Sequence, residues 1–438
     1  MKEMKKAALH NLGCKVNSYE TEAMQEMLEK NGYEIVPFSD DADVYIVNTC
    51  TVTNIADRKS RQMLHKAKKR NPGAIVVAAG CYVQTIEAGK AVDPSIDIII
   101  GNNKKQDLIT ILQEYESKCR TNIKNVKKEM IDINHTGEYE PLRLTKPGER
   151  IRVAVKVQDG CNQFCSYCII PMVRGRVRSR RREEVVAEIS ALAANHYQEV
   201  VLTGIHLSSY GMDLEPEDNL LSLIQAVHEI DGIRRIRLGS LEPRIVTEAF
   251  VETLAGLPKF CPHFHLSLQS GCDSTLERMN RRYTSAEYLE KCNLIRTYFD
   301  HPAITTDVIV GFPGETEAEF LQTKAFIDQV NFYETHIFKY SRRAKTKAAG
   351  MPNQVPEAIK SIRSNELIQL GRIKQKAYES YFLGKTVEVL VEDKIIRDGR
   401  EVQVGHTREY IKILVEDERD LHNCILNLQL TDKTQIIN

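Results

Sequence analysis

The stretch QDGCNQFCSYCIIP, residues 158–171, places three cysteines in one short loop. Cys161, Cys165 and Cys168 have a C-x3-C-x2-C spacing, with no further cysteine or histidine inside the loop. A structural zinc site uses four ligands, usually as two close pairs. A cubic iron–sulfur cluster has four irons held by thiolates, so three thiolates leave one iron open for another ligand. The spacing predicts such a cluster, with a structural metal site or three unrelated thiols as the alternatives.

Strand and helix patterns alternate around this loop. Six strand-like runs lie between residue 151 and about residue 345, and the cysteine loop follows the first of them. Repeated βα units favour a parallel sheet, and six of them predict a partial (β/α)6 barrel rather than a closed eightfold one. The predicted strands are residues 151–157, 199–202, 235–238, 264–268, 305–310 and 335–340.

The rest of the chain is predicted to form two further domains. Residues 1–124 alternate strands and helices, which predicts an α/β domain with a doubly wound parallel sheet. A long helix over residues 356–383 is followed by short alternating strands, which predict a small β-barrel similar to an oligonucleotide-binding fold. The predicted divisions are the first domain at 1–124, a polar linker at 125–150, the barrel with its trailing helix at 151–375 and the tail at 376–438.

Three more cysteines directly follow predicted strands of the first domain: Cys14, Cys50 and Cys81. Parallel strands end on one edge of their sheet, so these thiols are expected to meet and to hold a second cluster with one open iron. A lone cysteine is more often a small buried hydrophobe, and the remaining cysteines fit that interpretation because they show no pattern. They are Cys119, Cys261, Cys272, Cys292 and Cys424.

Composition excludes several classes of protein. No apolar run approaches the roughly 20 residues of a membrane span, and the N-terminus lacks the apolar core of a signal peptide. The expectation is a soluble cytoplasmic protein without a membrane partner. Eleven cysteines, an odd number in such a chain, argue against a disulfide framework and for metal-binding or catalytic thiols.

The chain carries 60 basic and 60 acidic side chains, so contact with nucleic acid requires local basic patches. Residues 173–182 read VRGRVRSRRR and directly follow the cysteine loop. A solvated helix face is the ordinary interpretation of such a run. The position beside the loop favours phosphate binding instead, through Arg174, Arg176, Arg178 and Arg180.

The cysteine spacing, placed after the first strand of a partial barrel, resembles the radical S-adenosylmethionine superfamily. The resemblance implies that the open iron chelates the amino and carboxylate groups of S-adenosylmethionine. It also implies that Tyr167 covers the adenine of this cofactor. Gly204, Glu242 and Gln269 follow later strands, and they are expected to receive its amino acid end and its other polar groups.

The whole chain resembles the methylthiotransferases of that superfamily, and the tail resembles the TRAM domain, an RNA-binding β-barrel. LGCKVN, NTCTVT, CNQFCSYCIIP, RGRVRSR and LTGIHLSSYG are similar to motifs of the tRNA threonylcarbamoyladenosine branch. The branch acting on isopentenyladenosine usually has a glutamine-asparagine pair where this chain has Ile205 and His206. The branch that modifies a ribosomal protein aspartate differs there too. Both stay open as alternative substrates.

The resemblance implies that the hydrogen at carbon 2 of a threonylcarbamoyladenosine, the tRNA residue 3′ to the anticodon, is replaced by a methylthio group. Two molecules of S-adenosylmethionine are used, together with an electron donor protein and a sulfur donor. Two [4Fe–4S] clusters are expected to face one pocket that receives the splayed adenine of the anticodon loop. An RNA-binding iron–sulfur sensor without catalytic activity is the remaining alternative.

One segment departs from the family pattern. Residues 340–348 read YSRRAKTKA, and Lys345 occupies a position where the family usually has glycine. A left-handed turn at that point is less comfortable for lysine than for glycine.

Overall fold

The computed structural model describes residues 4–86, 92–119, 126–145, 151–397 and 399–437. The predicted division at residue 124 and the end of the predicted linker at residue 150 lie outside these ranges, as does the side chain of Cys119. Across the described residues, no helix combines the length and apolar character that crossing a membrane requires.

The N-terminal domain is a six-stranded parallel sheet flanked by helices. Its strands are β1 (Lys5–Asn11), β2 (Tyr33–Ile35), β3 (Val44–Thr49), β4 (Ile75–Gly80), β5 (Ile98–Ile100) and β6 (Lys127–Glu129). Its helices are α1 (Lys15–Lys30), α2 (Asn54–Arg70) and α3 (Leu108–Cys119). The strand order is β2-β1-β3-β4-β5-β6, so the predicted doubly wound sheet is confirmed. Helices cover both faces of the sheet, and β3 is buried along its whole length.

Strand β6 lies inside the segment that was predicted to be a linker. It pairs with β5 in parallel register and forms the edge of the sheet. The linker interpretation of these residues is therefore wrong. The sequence KKE has neither an apolar run nor an alternating pattern, because an edge strand with partly solvated side chains needs neither.

The central domain is the predicted partial barrel. Its parallel strands are β7 (Arg152–Asp159), β9 (Glu199–Gly204), β10 (Arg235–Leu238), β11 (His263–His265), β12 (Ala303–Val310) and β13 (Glu334–Lys339), and the short β8 (Arg178–Ser179) runs antiparallel to β7. Isolated parallel bridges between Ile236 and Phe260 and between Leu241 and Leu266 join β10 to the β11 side. The helices are α4 (Ile170–Val173), α5 (Arg182–Ala194), α6 (Leu220–His228), α7 (Glu248–Ala255), α8 (Asp273–Arg278), α9 (Ser285–Tyr298) and α10 (Glu317–Val330).

The tail is an antiparallel sheet that follows the long helix α11 (Glu357–Ser380). Its strands are β14 (Thr386–Arg397), β15 (Arg400–Thr407), β16 (Lys412–Val415) and β17 (Ile425–Gln429), in the order β16-β15-β14-β17. The predicted division between residues 375 and 376 falls inside α11. Tyr378 of this helix packs in the core of the tail, and its hydroxyl donates to the carbonyl of His301 in the barrel domain at 2.8 Å.

Buried polar contacts attach both outer domains to the barrel. On the N-terminal side, the hydroxyl of Tyr19 in α1 donates to the carboxylate of Glu188 in α5 at 3.1 Å. On the tail side, the guanidinium of Arg237 in β10 donates to the carbonyls of Thr407 and Arg408 at 2.6 and 2.7 Å. Because a buried guanidinium without partners is costly, these bonds fix the positions of the domains.

Candidate active site

The cysteine loop after β7 is held in a tight turn by its backbone. Gly160 has φ +72°, and a Cβ at this position would lie 1.7 Å from the carbonyl oxygen of Arg176, so only glycine fits. The amide of Cys161 donates to the carbonyl of Gly175 at 3.0 Å, and that of Cys168 donates to the carbonyl of Cys165 at 3.0 Å. These bonds bring together the first triad, defined as Cys161, Cys165 and Cys168.

In the absence of a metal, the surroundings of the first triad favour protonated thiols. Burial, reinforced by the neighbouring thiols, raises the pKa of Cys161 to about 11 and that of Cys168 to about 12. A metal ion would reverse this preference because it binds the deprotonated form. The guanidinium of Arg281, which is half-buried, donates to Cys165 Sγ at 3.3 Å and supplies a positive charge on the protein side.

The second triad, defined as Cys14, Cys50 and Cys81, is assembled from three separate strand ends. Cys14 lies between β1 and α1, while Cys50 and Cys81 directly follow β3 and β4. Burial raises the pKa of Cys50 to about 11, and nearby Cys81 and Cys14 add to the rise. A Cβ on Gly13 would lie 3.0 Å from Cys50 Sγ. The structure thus brings the three predicted thiols together at one edge of the sheet.

Arg174 joins the second triad to the barrel. Its Nε donates to Cys81 Sγ at 3.2 Å. Its two terminal nitrogens donate to Glu20 at 2.6 and 3.1 Å, to Asp159 at 3.1 Å and to Asn17 Oδ1 at 2.5 Å. Since Asp159 ends β7 just before the cysteine loop, one fully buried side chain links both triads.

The prediction that Arg174, Arg178 and Arg180 bind RNA phosphates is wrong. All three are at most 1% exposed. Arg178 pairs with Asp159 at 3.7 Å, and Arg180 pairs with Glu188 of α5. The sequence does not indicate this because the acidic partners are distant in the sequence or lie on another element. These three arginines form an internal network, whereas Arg176 and Arg181 of the same run are exposed.

Arg176 is the exception, because its side chain is exposed. Its guanidinium lies over the ring of Phe164, 4.5 Å from the centroid. Both residues line a cavity of about 310 Å³ together with Cys165, Cys168 and Lys345. Of the four predicted arginines, only this one is placed to contact RNA.

Cys14 opens instead into a cavity of about 610 Å³ inside the partial barrel. Gly204, Gly239 and Ser240 line the same cavity from the ends of β9 and β10. One described cavity thus lies beside Cys165 and Cys168 and another beside Cys14. The expectation that both clusters face one pocket stays a prediction. Ile169 and Val173, from the segment after the cysteine loop, pack against Cys81 on the N-terminal side.

The predicted cofactor-contacting residues have diverse surroundings. A Cβ on Gly204 would lie 2.7 Å from Gln158 Oε1, so close packing of β9 on β7 already requires glycine there. The ring of Tyr167 is packed edge-on against that of Phe312, with centroids 6.4 Å apart. Glu242 accepts from Arg244 Nε at 2.8 Å.

Gln269 occupies a left-handed turn with φ +70° just after Leu268. Its amide donates to the carbonyl of Asp307 at 2.8 Å, and its carbonyl accepts from the amide of Ile309 at 2.9 Å. The backbone of Gln269 is therefore fixed by β12.

Several residues of the site had no sequence signal. Arg281 and Asn102 are separated along the sequence from the thiols they contact; Asn102, for example, donates to Cys81 Sγ at 3.7 Å. From the sequence, His206 distinguishes only between branches of the family with different substrates. Its Nδ1 lies 2.6 Å from Ser209 Oγ, and burial lowers its pKa to about 4, so the ring is neutral at pH 7.

Comparisons with known proteins place these features in a family. Residues 6–101 match the family described as "Uncharacterized protein family UPF0004", and residues 155–327 match the radical SAM superfamily. Threonylcarbamoyladenosine tRNA methylthiotransferase MtaB of Bacillus subtilis is 37% identical over 430 residues, covering 98% of this chain and 94% of that protein. The Aquifex aeolicus protein of the same name is 40% identical over 387 residues, covering 88% and 92%. Other relatives, 34–36% identical, carry the name tRNA-2-methylthio-N(6)-dimethylallyladenosine synthase.

Solved structures support the fold. The radical S-adenosylmethionine methyltransferase TsrM from Kitasatospora setae superposes with a TM-score of 0.57 at 17% identity, covering 79% of this chain and 77% of that one. The relatives match nearly the whole chain, and both triads lie within or beside the matched segments. This chain therefore belongs to the tRNA methylthiotransferases of the radical SAM superfamily.

Proposed function

We propose that the protein replaces the hydrogen at carbon 2 of N6-threonylcarbamoyladenosine in tRNA with a methylthio group. The observation that carries this proposal is the presence of two three-thiol sites in one chain, joined by Arg174. One three-thiol site is enough for a radical enzyme, whereas transfer of sulfur requires a second place where sulfur is held. The relatives named for this activity match nearly the whole chain.

Each triad fits a [4Fe–4S] cluster with one iron that the protein does not hold. Three thiols converge in each case, and a guanidinium, buried for Arg174 and half-buried for Arg281, donates to one of them, which compensates the negative charge of a thiolate-ligated cluster. Cys161, Cys165 and Cys168 would hold the cluster that binds S-adenosylmethionine. The second triad would hold the other. When bound, these groups supply the radical that removes the hydrogen and the sulfur that replaces it.

The protein's own part is to position the two triads and the nucleobase and to exclude water from the site. The backbone bonds of the cysteine loop fix the direction of the first triad. Arg174 fixes the second triad relative to β7 through Asp159. The 610 Å³ cavity beside Cys14 is large enough for a nucleobase with its substituent, and a nucleobase bound there would lie beside the second triad.

The tRNA partner is expected to approach from the side of Arg176, with the tail holding the stem. Because Arg174, Arg178 and Arg180 are buried, they add no phosphate contacts, and specific recognition would depend on the adenosine entering the molecule. An electron donor protein and a sulfur donor complete the proposed reaction, with two molecules of S-adenosylmethionine consumed per product.

The substrate is tested by analysing tRNA nucleosides from a strain in which the gene is deleted. The 2-methylthio derivative of threonylcarbamoyladenosine is expected to disappear, while that of isopentenyladenosine persists. Persistence of the former, in a strain without a second such enzyme, would overturn the proposed substrate. The reduced, reconstituted protein is also expected to cleave S-adenosylmethionine; no cleavage would favour the sensor alternative.

A further inference from the structure

Three side chains that commonly bind metals, none of them a cysteine of either triad, meet on the inner face of the barrel. His265, Asp307 and His336 each offer one ligand atom, and these atoms all lie within 4.8 Å of one another. They come from the adjacent parallel strands β11, β12 and β13. All three line the 610 Å³ cavity into which Cys14 opens.

The strand register explains why these side chains meet. Asp307 and His336 are direct partners in the pairing of β12 with β13. His265 is the partner of Thr305 on β12, and Thr305 lies two residues before Asp307. Residues two apart on a strand point to the same face of a sheet, so the backbone of three strands fixes this cluster.

The ring of His265 is oriented as a metal ligand would be. Its Nδ1 lies 2.9 Å from Thr305 Oγ1, a second partner of the kind that fixes the ring of a ligating histidine. Its Nε2 lies 3.3 Å from Asp307 Oδ2 and is buried without a hydrogen-bond partner. Neighbouring ligands of a tetrahedral zinc site with bonds of about 2.1 Å are separated by roughly 3.4 Å, which is close to this spacing.

The charge balance of the cluster also calls for a cation. Among the described residues, no lysine or arginine forms an ion pair with Asp307. Glu334 adds a second carboxylate, 3.8 Å from His336 Nδ1. The rings of His265 and His336 are stacked, with centroids 5.7 Å apart, and both carboxylates line the cavity. Two carboxylates and two imidazoles lining one cavity are a donor set for a divalent ion.

We propose that His265, Asp307 and His336 bind a divalent first-row transition metal ion, with Zn²⁺ the best match to two imidazoles and one carboxylate. Three protein ligands leave a position open, and this position faces the cavity, where water or a carboxylate completes the coordination. The site uses none of the six cluster cysteines. It lines the cavity that the proposed function assigns to the nucleobase, so its test counts bound metal and does not use tRNA modification as its readout.

The site is tested by anaerobic equilibrium dialysis of the cluster-loaded protein against buffered Zn²⁺, with zinc and iron both counted by mass spectrometry of the elements. The wild-type protein is expected to bind one zinc without losing iron. His265→Gln and Asp307→Asn are expected to abolish this binding at the same free zinc concentration. His422→Gln, an exposed histidine of the tail, is the matched control and is expected to bind zinc as the wild type does.

His336→Gln guards against misfolding, because its side chain is 42% exposed and is the least buried of the three. It is expected to keep full iron content and to lose zinc binding. Absence of bound zinc in the wild type, or equal zinc in the wild type and an iron-replete His336→Gln protein, would overturn the metal site. Neither result depends on whether tRNA is modified.

Discussion

The two cysteine triads supply the same three donors but are built differently. The first comes from one loop, whose turn is fixed by Gly160 and by bonds between neighbouring backbone groups. The second comes from three strand ends and exists only when the parallel sheet is formed. A site within one loop depends on local geometry, whereas a site across a sheet depends on the fold of a whole domain.

The two triads also differ in how their charge is balanced. Arg281, beside Cys165, has a tyrosine hydroxyl as its nearest other partner, with Nε 3.0 Å from Tyr283. Arg174, beside Cys81, is held by two buried carboxylates. The second triad is therefore part of an ionic network that crosses a domain boundary, and disturbing that network affects both the site and the attachment of the domain.

Single cysteine variants are expected to separate the roles of the two triads most sharply. Cys161→Ala should abolish cleavage of S-adenosylmethionine, because the first triad would hold the cluster that binds it. Cys14→Ala should keep cleavage and lose the methylthio product. Both activities are measured on reconstituted protein, by 5′-deoxyadenosine and by nucleoside analysis. Normal thiolation by the Cys14 variant would remove the second triad from the mechanism.

Removal of the Arg174 guanidinium is expected to have the next largest effect. Arg174→Gln leaves Glu20 and Asp159 buried with one cation fewer, and breaking a buried ion pair costs about 3–5 kcal/mol. The urea midpoint of unfolding should fall accordingly. Arg176→Gln, at an exposed position of the same run, should change the free energy of unfolding by about 0.5 kcal/mol or less. Equal effects of the two substitutions would contradict the buried network.

Arg281→Gln is expected to slow the reaction at the first triad without unfolding the domain that carries the second triad. Loss of a hydrogen bond from a charged group costs about 1.5–3 kcal/mol, which corresponds to roughly a ten- to hundredfold slower cleavage of S-adenosylmethionine if the bond acts on the transition state. The midpoint potential of the first cluster should fall because a positive charge is removed. Arg282→Gln, exposed and adjacent, should leave both values unchanged. An unchanged potential in the Arg281 variant would argue for a purely structural role.

The smallest expected effect is at the loop that covers the first triad. Lys345 has φ +71°, so the left-handed turn is kept although lysine occupies it. A left-handed residue with a Cβ costs roughly 1–2 kcal/mol, and glycine costs about 0.5–1 kcal/mol in chain entropy. Lys345→Gly should therefore stabilise slightly, by about 1 kcal/mol or less.

Lys347→Gly is the matched control for that substitution, because Lys347 begins a short 3-10 helix and is not left-handed. It should lower the thermal midpoint instead. If Lys345→Gly lowered the thermal midpoint as much as Lys347→Gly does, the side-chain contacts of Lys345 would contribute more to stability than its left-handed backbone costs.

The sequence predicts these regions to different degrees for physical reasons. C-x3-C-x2-C spacing predicts the first triad because all three donors lie in one loop. The second triad was predictable because Cys14, Cys50 and Cys81 follow strands whose parallel order places their ends together. The burial of the arginines was not predictable, because Glu20 and Asp159 are brought to Arg174 only by tertiary packing. Strand β6 was missed because a polar edge strand carries no periodic signal.

The central claim is that six cysteines form two separate cluster sites. Its most direct test is the iron content of anaerobically reconstituted wild-type protein and of two triple variants, Cys14→Ala/Cys50→Ala/Cys81→Ala and Cys161→Ala/Cys165→Ala/Cys168→Ala. Four irons per cubic cluster predict about eight irons in the wild type and about four in each variant. About four irons in the wild type, unchanged when the second triad is removed, would contradict the claim.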